Sequence, residues 1–317
     1  MMIISPDFAE QTTIPAGKLA EILQAYAREQ QTGLVTLDPG QGPLELLLFA
    51  RGQLVTAYHA GTPAQRLEPA AWMDSVNGSY PQVSMRSLAL TPQDVRIFKI
   101  LVEQQDAAQM VSTGGQSLEK LLSDWMKHPI PALAQVRWPR AEALVMFPGE
   151  GAAPYYSLFI TSDQVLHAAR DSKKLLGWKE SYTSASLFSS SSHTLAWTEY
   201  LLHSAFSSLV VSLFGKCEKL VGRLTLNQVI RDVNFKASAH DWNLSVNMNS
   251  VNDQTIFATA MAAAEMYARL LETIFRNFES VLGITMLQML VRESIHRMPE
   301  PFRVVLKEYL PVTEISL

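Results

Sequence analysis

From Lys18 to Tyr26 the apolar residues Leu19, Ile22, Leu23 and Tyr26 recur at helical spacing, which predicts a short amphipathic helix with one buried face, its start marked by Pro15 and Gly17. After Gly33 the period changes. GLVTLDPGQGPLELLLFARGQLVTAYHA reads as three strands, with a turn at Asp38 to Pro43 and a tight turn at Arg51 and Gly52. Thr91 and Pro92 supply an N-cap and a first-turn proline for a helix running through Val95 to Val102.

A similar layout returns after Gly114 and Gly115. The helix Leu118 to Met126 places Leu118, Leu121, Leu122 and Trp125 on one face, and EALVMFPGEGAAPYYSLFITSDQVLHAA follows as strand, Pro/Gly turn, strand, tight turn and strand. Gly40 and Gly149, Phe49 and Phe159, Gln53 and Gln164, and Ala57 and Ala168 hold matching places, four positions that leave both true repetition and chance open. The serine-rich stretch Ser181 to Thr194 is expected as a loop, and Leu195 to Phe214 as a buried helix. Leu220 to Val233 and Asp241 to Val251 read as a short helix and an extended or hairpin segment.

Further on the pattern becomes wholly helical. Ile256 to Leu282 carries an apolar stripe of Tyr267, Leu270, Leu271, Ile274, Phe278, Val281 and Leu282, with Gly283 ending or kinking it. Thr285 to Arg297 and Phe302 to Leu310 follow at short spacing, which predicts an antiparallel bundle. The fold class expected is therefore α+β: helix-plus-antiparallel-meander units, the second a candidate repeat of the first, followed by a C-terminal helical bundle. The corresponding domains are 1–113, 114–194 and 195–317.

Composition changes the picture in what it excludes. Hydrophobic residues make up 48% of the 317 and charged residues only 18%, a balance that supports packed cores and opposes disorder. A net charge of -4 gives no field for polyanions, so nucleic acid is not an expected partner. The longest apolar stretch, Ala205 to Phe214, is too short to span a bilayer. The start MMIISPDFAEQTT lacks a basic segment followed by an apolar one, and the single Cys217 fits a reducing compartment; a cytoplasmic location is expected.

No catalytic, cofactor or metal site emerges from the motifs. The seven histidines lack ligand spacing; Glu199 and His203 share a helix face at i, i+4 and are read as a polar contact. PGEG at Pro148 to Gly151 and STGG at Ser112 to Gly115 lack the following helix and Lys of a phosphate loop. Cys217 lies between Lys216 and Lys219, cations that would lower its pKa, but no base accompanies it. Met261, Met266, Met286, Met289 and Met298 are read as core, with an adaptable docking groove as the functional alternative. Alanines at Ala258, Ala260, Ala262, Ala263 and Ala264 would permit close helix approach in a homodimer formed through the C-terminal helices.

The helix LAEILQAYAREQQ, the Thr32-Gly33 step, the strand LLLF and the turn FARGQLVTA together resemble the PATAN domain family of bacterial signalling proteins, over roughly residues 15–60. The resemblance implies a protein-interaction module of the kind that accompanies receiver domains in motility, pilus and developmental control. No receiver-like acidic pocket accompanies it here, so the role implied is that of an adaptor or scaffold. Its partners would be other signalling proteins: a response regulator, a motility ATPase or a small GTPase. On this basis the contact surface is expected at Leu19, Tyr26, Phe49, Arg51, Gly52 and Gln53, with Leu44 to Phe49 as an edge strand. Two other readings stand beside it. One is a roadblock-like or longin-like regulator of a small GTPase built on the central unit. The other is a small-molecule sensor with Trp138, Trp178, Tyr155, Tyr156 and Phe159 around an apolar pocket.

Overall fold

The computed structural model describes residues 12–61, 64–79, 82–104, 109–112, 117–149, 156–161, 165–168, 181–190 and 194–311. The chain is α+β and divides into two compact units, Met1–Thr194 and Leu195–Leu317.

The first unit holds two antiparallel sheets of six strands. One contains β1 (Thr12–Pro15), β2 (Gly33–Asp38), β3 (Glu45–Ala50), β4 (Gln53–His59), β5 (Gln65–Leu67) and β6 (Gln82–Ala89), in the order β1-β6-β2-β3-β4-β5. The other contains β7 (Gln109–Ser112), β8 (Ala132–Trp138), β9 (Ala141–Phe147), β10 (Tyr156–Thr161), β11 (Val165–Ala168) and β12 (Ser184–Ser189), in the order β7-β12-β8-β9-β10-β11. The two orders are the same once the first strand of each is set equal. Each sheet also has a helix between its first and second strands: α1 (Ala16–Arg28) in one and α4 (Leu118–Trp125) in the other. Leu19 and Leu23 of α1 pack on Val35, Leu37, Leu47 and Phe49, while Leu121, Leu122 and Trp125 of α4 pack on Ala134, Val136, Val145 and Phe147.

This equivalence differs from the one expected from scattered identities. Phe49 pairs with Gly33 across β2 and β3 as Phe147 pairs with Ala132 across β8 and β9, so Phe147, and not Phe159, is its counterpart. The expected second meander began one strand late because it passed over β8. Two further expectations are corrected. Leu44 to Phe49 is not an edge: β3 lies between β2 and β4, as the middle strand of a meander must, and the edges are β1 and β5. The serine-rich stretch is not a loop throughout, since β12 inserts between β7 and β8. Its Ala185 and Leu187 join the α4 core, and ladder bonds on both sides satisfy a backbone whose serines have low strand preference.

Between α2 (Pro69–Ser79) and β7 the chain forms α3 (Pro92–Glu103). Thr91 caps it as expected: its hydroxyl accepts from Asp94 N at 3.2 Å, and Asp94 Oδ2 accepts from Thr91 N at 2.7 Å. Every residue from Asp94 to Val102 is buried, and α3 packs against β2, β3 and β8.

The second unit is helical apart from a small hairpin. It comprises α5 (Leu195–Ala239), β13 (Leu244–Val246), β14 (Val251–Asp253), α6 (Ala260–Leu282), α7 (Ile284–His296) and α8 (Glu300–Tyr309). The expected separate helices at 195–214 and 220–233 are two arms of α5, broken at Gly222 with φ 79 and ψ 164. Gly283, between α6 and α7, has φ 76 and ψ 158. Two glycine elbows thus share one backbone conformation.

The chain around them is duplicated. CEKLVGRLTLNQVIRD at Cys217 to Asp232 aligns glycine on glycine with FESVLGITMLQMLVRE at Phe278 to Glu293. The buried positions coincide before the elbows, where Phe206, Leu209, Val210, Leu213, Phe214 and Cys217 answer to Tyr267, Leu270, Leu271, Ile274, Phe275 and Phe278. They coincide after them too, with Leu226 and Val229 answering to Leu287 and Leu290. Phe206 stacks on its own counterpart Tyr267 at 4.4 Å, and Phe214 meets Phe278 edge-on at 6.1 Å. Contacts that advance together along both helices mean that the first arm of α5 and α6 run parallel. The two elbows therefore lie at the same end of the unit.

Candidate functional site

The turn between β3 and β4 gathers most of the residues expected to make contact. Arg51 and Gly52 both have positive φ, 49 and 78, as a two-residue hairpin turn of this hand requires. The turn is fastened to the end of α1: Gly52 N donates to Gln31 O at 2.7 Å and Arg51 N to Thr32 Oγ1 at 3.0 Å. A Cβ at Gly52 would stand 2.5 Å from Ala27 O, so only glycine lets the turn approach this closely. Tyr26 and Phe49 meet here with ring centroids 5.5 Å apart. Of the six expected residues, Leu19, Phe49 and Gly52 are buried, Tyr26 is half-buried, and Arg51 and Gln53 alone are exposed. Most of the motif therefore builds a joint between helix and sheet.

The buried polar groups act as fasteners. In the second unit, Asp253 Oδ2 accepts from the Tyr267 hydroxyl at 2.6 Å and lies 3.0 Å from His203 Nδ1, while its Oδ1 accepts from Thr255 N at 2.8 Å. Glu199 Oε1 accepts from Phe257 N at 3.2 Å. His203 thus ties the end of β14, and Glu199 the segment after it, to α5, and the two do not converge on one ligand. Asn234 holds the hairpin to the second arm of α5 through both its amide atoms, to Val246 N at 2.8 Å and Val246 O at 3.0 Å. Among the described residues no group of three His, Cys, Asp or Glu side chains is arranged to hold a metal ion.

The first unit carries its own fasteners. Glu45 accepts from Trp72 Nε1 at 2.9 Å and lies 3.1 Å from His59 Nε2. The Tyr58 hydroxyl donates to Glu103 at 2.7 Å, and burial together with that carboxylate raises its pKa well above the usual value. Glu142 accepts from the Gln135 amide with Arg137 Nε at 3.9 Å; burial outweighs both and pushes its carboxyl up to about 7.

Cys217 corrects an expectation. Its thiol is buried in the helical core, and desolvation raises its pKa to about 12 despite the opposing pull of Lys216, whose ammonium pairs with Glu293 at 3.3 Å. Such a thiol is a packing group and a poor nucleophile. Trp138 is buried against α4. Trp178, Tyr155 and the side chains of Tyr156 and Phe159, expected around the same pocket, lie outside the described residues.

Apolar exposure singles out the elbow end of the second unit. Leu220 and Leu224 flank Gly222, with Leu224 88% exposed; Val281, Ile284 and Met286 flank Gly283, and Met289 follows a turn later, all exposed. Isolated exposed apolar side chains are ordinary, whereas a contiguous group marks an interaction site. The methionines divide accordingly: Met266 and Met298 are buried, and Met261, Met286 and Met289 are exposed. Of the five alanines that would support a seam along α6, Ala260, Ala263 and Ala264 are buried, and Ala258 and Ala262 face solvent. Sequence periodicity missed this patch because Val281 belongs to the same apolar stripe as the buried Phe278. The signal that separates them is the glycine that ends the helix beside Val281.

No helix among the described residues is long and apolar enough to cross a membrane. No protein-family model matches the chain, and no curated protein and no solved structure is significantly similar to it.

Proposed function

We propose that this chain is a non-catalytic adaptor that works by protein contact. The observation that carries the reading is the apolar group at the elbow end, held out by rigid helices whose own cores are complete. Leu220, Leu224, Val281, Ile284 and Met286 stand exposed beside two glycines of identical conformation, while the residues a turn earlier, Cys217 and Phe278, are fully buried. The buried polar groups support the same reading, since each described cluster ties secondary structure together. The PATAN-like segment, with Arg51 and Gln53 exposed on a fastened turn, gives the first unit a second contact point and suggests a bacterial signalling context in the cytoplasm.

The test is affinity purification of the tagged chain from its native cell, in parallel with the variant Leu220→Asp/Leu224→Asp and with Arg51→Glu/Gln53→Glu. Both variants alter exposed side chains only. Recovery of a signalling protein by the wild type, and its loss in either variant, is the expected result. Unchanged recovery with both variants would overturn the reading.

A further inference from the structure

The elbow end has a second property besides its apolar side chains. The exposed charges around the two elbows differ: the first has a cationic excess and the second has none. Lys219 and Arg223 are exposed on either side of Gly222, and Glu218, which precedes Lys219 and is the counterpart of Glu279, is half-buried. The counterpart of Lys219 at Gly283 is Ser280, that of Arg223 is Ile284, and the exposed charge there is Glu279, with Arg276 about one turn further from the glycine. Lys219, Arg223 and Glu279 have no ion-pair partner among the described residues. A patch with matched apolar centres, an exposed cationic pair on one half and an exposed carboxylate on the other can complement itself when turned over.

We propose that the elbow end docks on the same end of a second copy of this chain, forming a twofold dimer in which each first elbow lies over the partner copy's second elbow. This rests on reading the patch as a protein-contact surface. Symmetry allows two end-to-end arrangements. Like over like would press Lys219 and Arg223 against their own copies. The crossed arrangement sets them against Glu279, twice over, because every contact in a twofold interface occurs in duplicate. Leu220 and Leu224 then meet Val281, Ile284 and Met286, and the duplicated backbone makes the two halves of the patch similar in shape.

The experiment is light scattering on the purified full chain at micromolar to tens of micromolar concentration. The expected mass is twice that of the chain. Leu224→Glu returns it to the monomer, whereas Phe235→Glu, on another exposed side chain about 16 Å further along the second arm, leaves the dimer intact. Arg223→Glu and Glu279→Arg each weaken dimerisation about tenfold, and an equimolar mixture of the two restores it, since both crossed pairs are then of opposite sign. A monomer throughout, a dimer broken by Phe235→Glu and not by Leu224→Glu, or a mixture no tighter than its components would each overturn the proposal. A monomer that still recovers a cellular partner, and loses it through Leu220→Asp/Leu224→Asp, would overturn the dimer alone and leave the adaptor reading standing.

Discussion

The two elbows make a sharp prediction about glycine. Gly222 and Gly283 sit at φ 79, ψ 164 and φ 76, ψ 158, a region open essentially to glycine alone. Nothing lies within 4 Å of a Cβ built at either position, so replacing either by alanine introduces no clash, and the whole cost is backbone strain, on the order of 1–3 kcal/mol. Gly215 provides the control. It is exposed within the first arm of α5, has nothing within 4 Å of its Cβ, and is helical, so Gly215→Ala should stabilise by roughly 0.5–1 kcal/mol. Three chemically identical changes thus have predicted effects of opposite sign. Urea denaturation followed by far-ultraviolet circular dichroism reads them directly, as midpoint shifts at constant slope. If Gly222→Ala or Gly283→Ala proved as stable as Gly215→Ala, the elbows would be continuous helix, and the argument that places both at one exposed end would fail.

Other consequences follow from single residues. The Glu142 carboxyl, pushed up to about 7 from an ordinary 4.5, keeps in the folded state a proton that the unfolded chain releases. Its contribution is therefore most favourable below the unfolded pKa and worsens as pH rises towards 7, by roughly 3 kcal/mol in all. Glu142→Gln should flatten that fall, measured as urea midpoints at pH 5 and pH 8; equal slopes for the two proteins would contradict it. Cys217 should resist iodoacetamide at pH 8 in the folded chain and react once the chain is unfolded in urea, as mass spectrometry would show. Gly52→Ala combines a positive φ with backbone atoms at 2.5 Å, and should lower the stability of the first unit by about 2 kcal/mol or more, visible as an earlier thermal transition.

The elements that could be read from sequence were those whose signals are local. The α1 stripe of Leu19, Ile22, Leu23 and Tyr26, the Thr91-Pro92 cap and the Arg51-Gly52 turn all depend on neighbours within a few residues. β12 was hidden because serine reads as loop, and only pairing with both β7 and β8 makes it a strand. The candidate repeat expected from sequence is one strand out of step with the second sheet, because β8 and β9 form two adjoining runs with only the short turn at Pro139 and Arg140 between them. The duplication in the second unit left few identities around Gly222 and Gly283. A packed core requires apolar volume at a position, and exchanges such as Val229 for Leu290 satisfy it without preserving the residue. The exposed patch was hidden for a related reason: a stripe of Leu, Val and Met shows which face is apolar and not where a helix ends and leaves that face uncovered.

The enclosure of α3 bears on how the chain emerges during synthesis. A helix buried on every side cannot be finished by the sheet that precedes it: β2 and β3 cover one side, and β8 arrives only after α3, β7 and α4 have been made. Until then the growing chain holds Phe98 and its neighbours with part of their surface unclaimed, an open apolar flank of the kind that chaperones bind. Slow translation between Glu103 and Ala132 would lengthen that interval, and a chain cut short within it would be a substrate for proteolysis.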